Sequence, residues 1–204
     1  MRSFFTLIGL ILLLAGCAQE PLRSPPAHPH RVWLAHRARM ETITHFAVSA
    51  QGAVRAGRHG GALALHWVLS PQAYQMTGSG PFGRLIFRLR VNGEGARLLT
   101  EQGRLAGRNP GHLLKRLTGL TLPVRGLRFW ILGIPTRAPV AARHIDRFGL
   151  LASLDQAGWS IRYRRYRQTA WGRLPMLMTL THPKDPHNPV AVHVTLRINR
   201  WKAA

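Results

Sequence analysis

Residues 77–91, TGSGPFGRLIFRLRV, decide between two folds that cannot coexist. Gly78, Gly80 and Gly83 match the G-x-G-x-x-G dinucleotide fingerprint, and Glu101 lies at about the right distance for a ribose contact. That motif works only when its third glycine opens a helix, because the pyrophosphate rests on the helix's first amides. Here the chain alternates instead. Leu85, Phe87, Leu89 and Val91 fall on one side, and Arg84, Ile86, Arg88 and Arg90 on the other. A period of two is that of a half-buried strand. The glycines therefore form a turn between strands, and Phe82 stands between Pro81 and Gly83 at its tip, where no core is expected to reach it.

The same alternation recurs on both sides of this turn. Phe46, Val48, Ala50, Gly52 and Val54 follow it, as do Leu63, Leu65, Trp67 and Leu69, and near the end Val190, Val192, Val194, Leu196 and Ile198. Asn92-Gly93 suits a tight primed hairpin, and Asp155-Gln156-Ala157-Gly158 separates Leu150 and Leu151 from the alternating Trp159, Ile161 and Tyr163. Many short strands with close turns predict an antiparallel sheet, curled towards a barrel.

Three segments break the rhythm. Trp33, Arg37, Met40 and Ile43 have helical spacing, which predicts a helix over residues 31–44. In NPGHLLKRLTG, Asn109 can cap, Pro110 suits the first turn, Leu113, Leu114 and Leu117 share a face, and Gly119 can end the helix. In VRGLRFWILG, Leu127, Trp130 and Ile131 share a side before Gly133 and Pro135, although Gly126 weakens that helix. A curled sheet with helices against it can enclose an apolar cavity, but a filled core gives the same pattern.

The chain opens Met1-Arg2-Ser3 and runs apolar from Phe4 to Leu14 before Leu14-Ala15-Gly16-Cys17. A membrane-spanning helix needs about 20 apolar residues, so this run is a secretory signal, residues 1–16. Its last four residues match a bacterial lipobox, in which the cysteine is acylated and becomes the first mature residue. Cys17 is the one cysteine present, which leaves none for disulfides or thiolate chemistry. Residues 17–30 carry Pro21, Pro25, Pro26 and Pro29 and form a tether. At about 3.1 Å per residue, a dozen such residues span roughly 40 Å. Residues 31–204 remain as one domain. Ala18, where an aspartate would retain a lipoprotein in the inner membrane of enteric bacteria, points to the outer membrane, facing the periplasm.

Twenty-nine Lys and Arg against seven Asp and Glu give a formal charge of +22. Such a field draws anions, and export removes nucleic acid as a partner, leaving acidic headgroups or merely solvated arginines. Chemistry is poorly provided for. Glu20 lies in the tether, Glu94 and Asp155 in turns and Asp185 in a Pro-rich loop, so Glu41, Glu101 and Asp146 remain, no two paired in sequence. G-x-S-x-G, S-x-x-K and H-E-x-x-H are all missing. The eleven histidines are scattered, with His28 and His30 in the tether, His182 and His187 in the Pro-rich loop, and His66 and His193 on strand faces opposite the apolar ones. They read as surface residues, and no metal, cofactor or catalytic group is expected.

The block HLLKRLTGLTLPVRGLRFWILGIP, Trp33 with its helix, GWSIRYRRY, the Leu-Pro of GRLPMLMTL and the Val-rich strand ending in Trp201 together resemble the LolB family. The likeness runs from Cys17 to Trp201. It implies a mostly β fold, an incomplete antiparallel barrel of about eleven strands with three helices covering an apolar cavity. It also implies a monomeric, non-enzymatic outer-membrane lipoprotein that takes acylated lipoproteins from the periplasmic carrier LolA and inserts them in the outer membrane. In the family a loop reading Asn-Pro-Leu-Gly projects between two strands and its leucine serves insertion. Gly80, Pro81, Phe82 and Gly83 occupy that place, with phenylalanine for leucine and glycine for asparagine. On this likeness the acyl-cavity candidates are Trp33, Met40, Trp67, Leu113, Leu117, Trp130, Ile131 and Trp159. The family's carrier presents an acidic surface to a basic acceptor, so the charge could serve docking. Two other classes stay open: a structural lipoprotein that binds anionic lipids or polyanions through its basic surface, and a lipid-modifying enzyme.

Overall fold

The computed structural model describes residues 24–203 except 121, 123, 187 and 188. The signal at 1–16, Cys17, the first part of the tether and His187 lie outside the described residues.

Alternating burial gives eleven strands in one antiparallel sheet. They are β1 (Phe46–Ala56), β2 (His59–Leu69), β3 (Tyr74–Ser79), β4 (Leu85–Asn92), β5 (Gly95–Thr100), β6 (Gly103–Gly107), β7 (Val140–Ile145), β8 (Leu151–Gln156), β9 (Trp159–Thr169), β10 (Gly172–His182) and β11 (Val192–Lys202). Their spatial order is β6-β5-β4-β3-β2-β1-β11-β10-β9-β8-β7. Every neighbour is also a chain neighbour except β1 and β11, which pair from Ala47 opposite Lys202 to Ala56 opposite Val192. The sheet's free edges, β6 and β7, are consecutive in sequence, and the chain between them carries α2 (Pro110–Thr118) and α3 (Val124–Trp130). Two helices thus come from the segment that crosses the opening. Both edge strands are short and carry exposed charge, Arg104 on β6 and Arg143 on β7, which discourages further pairing.

The inward faces meet in one core, in which Phe46 is fully buried. Its ring sits edge-on to Trp67 of β2 at 5.4 Å and to Trp201 of β11 at 5.3 Å, tying three neighbouring strands together. A third helix, α1 (Pro29–Glu41), adds the fully buried Trp33 and Met40. It begins and ends earlier than the 31–44 expected from spacing. Pro29 fits a first turn because its missing N–H has no helical partner to lose, so the helix takes the last residues assigned to the tether. At the other end Thr42 turns back, its hydroxyl donating to Arg39 O at 2.9 Å, and Ile43 packs on the core from beyond the helix.

Two turns differ in detail from their expected form. Asn92-Gly93 does begin a hairpin, but neither residue takes a positive φ, and the connection is Gly93-Glu94. The Asn92 side chain accepts from Glu94 N at 3.1 Å, a local bond that replaces the primed turn. The primed geometry appears instead at Ala157 (φ 53°) and Gly158 (φ 79°), between β8 and β9. The last strand starts at Val192, two residues later than the alternation suggested.

Candidate functional site

The antiparallel register gives the sheet two ends. One gathers the β1–β2 turn, the β3–β4 loop, the β5–β6 turn and the β8–β9 turn, and the other gathers the opposite strand termini. Of two features that suit apolar cargo, one lies at the first end and the other reaches it through Ala157 of the β8–β9 turn.

The first is the β3–β4 loop. At its base Gly78 lies opposite Phe87, and a Cβ on Gly78 would come within 2.3 Å of that ring, so the glycine lets the aromatic lie flat across the hairpin. Beyond it the chain is tightly closed, with Gly80 N donating to Arg84 O at 2.8 Å, Gly83 N to Gly80 O at 3.2 Å and Arg84 N to Pro81 O at 3.3 Å. Phe82 takes φ 57° and ψ 21°, a left-handed conformation that bulky side chains adopt at a cost of roughly 1–2 kcal/mol. Its ring is fully exposed. Among the described residues the other large exposed apolar side chains, Val32 and Leu34, are far more covered. A strained backbone that holds an aromatic ring in water is an arrangement that folding alone would not favour.

The second is a cleft of about 680 Å³ between α2, α3, residues 136–138 and Ala157. Leu122, Val124, Phe129, Trp130, Ala138 and Ala157 supply apolar lining, while His112, Lys115 and Arg137 stand among them as polar groups. The size falls within the range of pockets for small apolar ligands. Local sequence explains both helices. Asn109 caps α2 by accepting from Gly111 N at 2.9 Å, Pro110 fills the first turn, and Gly119 closes the helix at φ 72°. In α3, Gly126 leaves room for an aromatic: a Cβ there would lie 3.1 Å from the Trp130 ring. The glycine that weakened the helical reading is what seats Trp130.

Gln156, at the end of β8, fixes these walls. It is 1% exposed and its amide is fully used. Oε1 accepts from Trp130 Nε1 and from Thr136 N, each at 2.9 Å, and Nε2 donates to Ala138 O at 2.6 Å and Thr136 O at 3.3 Å. One side chain therefore joins α3, the segment entering β7 and the sheet. In the sequence it reads as a turn residue; the only sign of more is its place one residue before the reversal, where β8 ends against the opening.

The eight cavity candidates are distributed unevenly. Trp33, Met40, Trp67, Leu113, Trp130, Ile131 and Trp159 are buried in the common core, with Leu117 packed against it. Of the eight, Trp130 is the one that borders the cleft. The other apolar walls, Leu122, Val124, Phe129, Ala138 and Ala157, were not singled out by sequence reasoning, because nothing in their spacing separates a cleft wall from core.

The charged candidates are engaged elsewhere. Glu41 pairs with Arg37 at 2.8 Å, exposed Glu101 faces Arg84 at 3.6 Å, and Asp146 Oδ1 accepts from the amides of Phe148 and Leu150. No group of three possible metal ligands exists among the described residues. His66 and His193 are exposed as expected, but His182 is not a surface histidine. It is buried beside Trp159, ring centres 5.0 Å apart, with Nδ1 2.6 Å from Pro183 O and Nε2 3.6 Å from Asp185. Pro183 and Asp185, from the first part of the Pro-rich loop, lie against it instead of leaving it in solvent.

The pattern that defines the family described as "Outer membrane lipoprotein LolB" matches residues 44–201. An outer-membrane lipoprotein LolB of Pseudomonas putida is 33% identical over 198 residues, covering 95% of this chain and 92% of its own. The Nitrosococcus oceani protein of that name is 31% identical, covering 94% and 93%, and that of Vibrio cholerae 30%, covering 86% and 85%. Among solved structures, a LolA-superfamily protein of Nitrosomonas europaea superposes with TM-score 0.50 at 8% identity, over 86% of this chain and 93% of its own. An outer-membrane lipoprotein-sorting domain of Vibrio parahaemolyticus gives 0.51 at 7%, over 85% and 91%. At such identities the structures speak for the fold alone.

Proposed function

Since the chain belongs to the LolB family of outer-membrane lipoproteins, non-enzymatic members of the lipoprotein-sorting pathway, we propose that it receives acylated lipoproteins from the periplasmic carrier LolA and releases them into the outer membrane at Phe82. Cys17 is the acylated anchor in this reading. The observation that carries it is the fully exposed Phe82, held outward by a closed loop in a left-handed conformation.

The chemistry is physical. Each buried CH₂ contributes about 0.8 kcal/mol, so an acyl chain does not pass through water and must move directly between apolar sites. The cleft beside Trp130 offers such a site, and at Ala157 it reaches the end of the sheet that carries the loop. Burying the Phe82 ring in the acyl boundary returns about 1.5–3 kcal/mol, enough to bring that end to the bilayer without holding it there. Because the loop is already closed, little ordering is needed on insertion.

The test is a transfer assay. An acylated lipoprotein held by its carrier is mixed with the wild-type chain or with Phe82→Glu, and cargo is followed first to the acceptor and then to outer-membrane vesicles. The wild type takes and delivers cargo; the variant takes it and fails to deliver. Normal delivery by Phe82→Glu would refute the role of the loop, and failure of the wild type to take cargo would refute the receptor reading.

A further inference from the structure

At the end of the sheet away from Phe82 lies a groove of about 1200 Å³ with a different character. Five arginines border it: Arg147 before β8, Arg165 and Arg167 on β9, Arg173 on β10 and Arg197 on β11. None of their guanidinium groups has an ion pair or a hydrogen-bond acceptor among the described residues. The nearest acid in sequence, Asp146, has an oxygen committed to two backbone amides. Two of the five are nevertheless held in place, Arg147 at 4.9 Å and Arg173 at 5.6 Å from the ring centre of Phe148. Arg165 takes a left-handed φ of 56°, where the burial phase of β9 slips after Tyr163 and leaves Arg165 and Arg167 exposed. Five arginines gathered beside one carboxylate, Asp146, whose charge also reaches Tyr166 on the groove wall, leave a net positive charge that raises the energy of the fold unless an anion is there to share it.

Ser24 and Pro25 also border this groove. Ser24 lies seven steps along the chain from Cys17, and seven such steps reach at most about 25 Å. A groove so close to the anchor stays within reach of the headgroups of the membrane that holds it. We propose that it binds the phosphate of an anionic phospholipid headgroup, the arginine forks taking the phosphate oxygens and Met176 and Leu177 lying against the glycerol backbone. This is a second membrane-facing surface, distinct from the Phe82 loop. Strands of eleven residues, about 36 Å long, separate the two ends. With the groove on headgroups, Phe82 and the apolar cleft face away from the bilayer, where an incoming carrier meets them. Delivery then requires the groove to let go and the domain to turn over on its tether.

The orientation and the choice of a membrane headgroup over other phosphates rest on Cys17 being the anchor; the anion site itself does not. The test therefore uses a soluble probe. The full chain, purified from membranes in neutral detergent, is titrated calorimetrically with dihexanoyl phosphatidylglycerol, dihexanoyl phosphatidylcholine and inorganic phosphate. The triple variant Arg165→Gln, Arg167→Gln, Arg173→Gln is compared with a charge-matched control, Arg55→Gln, Arg58→Gln, Arg104→Gln, at the other end of the sheet. Wild type and control bind phosphatidylglycerol alike and prefer it to phosphatidylcholine, while the groove variant binds about tenfold more weakly. Equal weakening by both triples would leave only a general field and overturn the site, as would phosphate binding as tightly as the lipid, or no preference for the anionic headgroup. Thermal unfolding shows whether each triple is folded, and the single variant Arg197→Gln, exposed and outside the triple, repeats the comparison where the triple is not. The intact mass of the same preparation reports acylation at Cys17 separately.

Discussion

Replacing Gln156 by leucine tests whether one buried amide holds the cleft together. Leucine keeps much of the volume and removes every bond. Trp130 Nε1 and Thr136 N lose their acceptor, and Thr136 O and Ala138 O lose their donor. A buried polar group left unpaired costs about 1–3 kcal/mol. Trp130 borders the cleft but is only 1% exposed, so its donor bears that cost in full, whereas Thr136 is half-buried and Ala138 exposed, where water can take part of the load. The expected loss is about 3 kcal/mol. With a urea slope of about 2 kcal/mol per molar, the unfolding midpoint falls by about 1.5 M at unchanged slope. Binding of a fluorescent fatty acid weakens in parallel as α3 loosens. A midpoint shift worth less than about 0.5 kcal/mol would refute the reasoning. Gln156→Glu sharpens the test, since a carboxylate accepts from both donors but cannot donate to the two carbonyls. Burial raises its folded pKa above the ordinary value near 4.3. The folded state then binds the proton first, and stability recovers as pH falls through the raised pKa.

Three further outcomes are expected. Asn109→Ala removes the cap of α2 and costs about 1 kcal/mol in urea unfolding, with Asn109→Ser retaining most of it. Gly133→Ala places a Cβ at φ 75° and 2.9 Å from Tyr166 Oη, which is itself bonded to Leu151 O at 2.7 Å and not free to retreat, so stability drops by about 2 kcal/mol or more. His36 on α1 is lowered to about 4 from 6.5 by burial, with Arg39 nearby as the lesser cause. The unfolded chain takes up that proton first, so stability falls as pH drops from about 6.5 towards 4, by about 1–2 kcal/mol once partial exposure is allowed for, and His36→Gln flattens the slope.

What the sequence displayed and what it hid follow from the range of the interactions. Alternation marked β1, β2, β9 and β11 because each buries one face on a common core, and Asn109-Pro110 with Gly119 bounded α2 because capping is a local matter. Phe82 was conspicuous for the same reason, since proline and glycine on either side fix a turn within four residues. The edge strands β6 and β7 leave no such trace; with one partner each and mostly exposed side chains, they have no face to bury. Gln156 and the burial of His182 depend on groups up to 26 residues away, which no local pattern encodes. The cleft walls were hidden because an apolar side chain beside a gap is spelled like one in a core.

The pairing of β1 with β11 has a consequence for how the molecule comes into being. Strands β1 to β6 form one meander and β7 to β10 another, and within the sheet the only link between them is the last strand. A chain threaded through the inner membrane N-terminus first therefore waits as two separate half-sheets, each with an open apolar face, until residues 192–202 arrive and join them. Joining the half-sheets is an encounter between the two ends of the domain, and until it happens β1 and β10 each lack one partner, so both edges would need cover from a periplasmic chaperone.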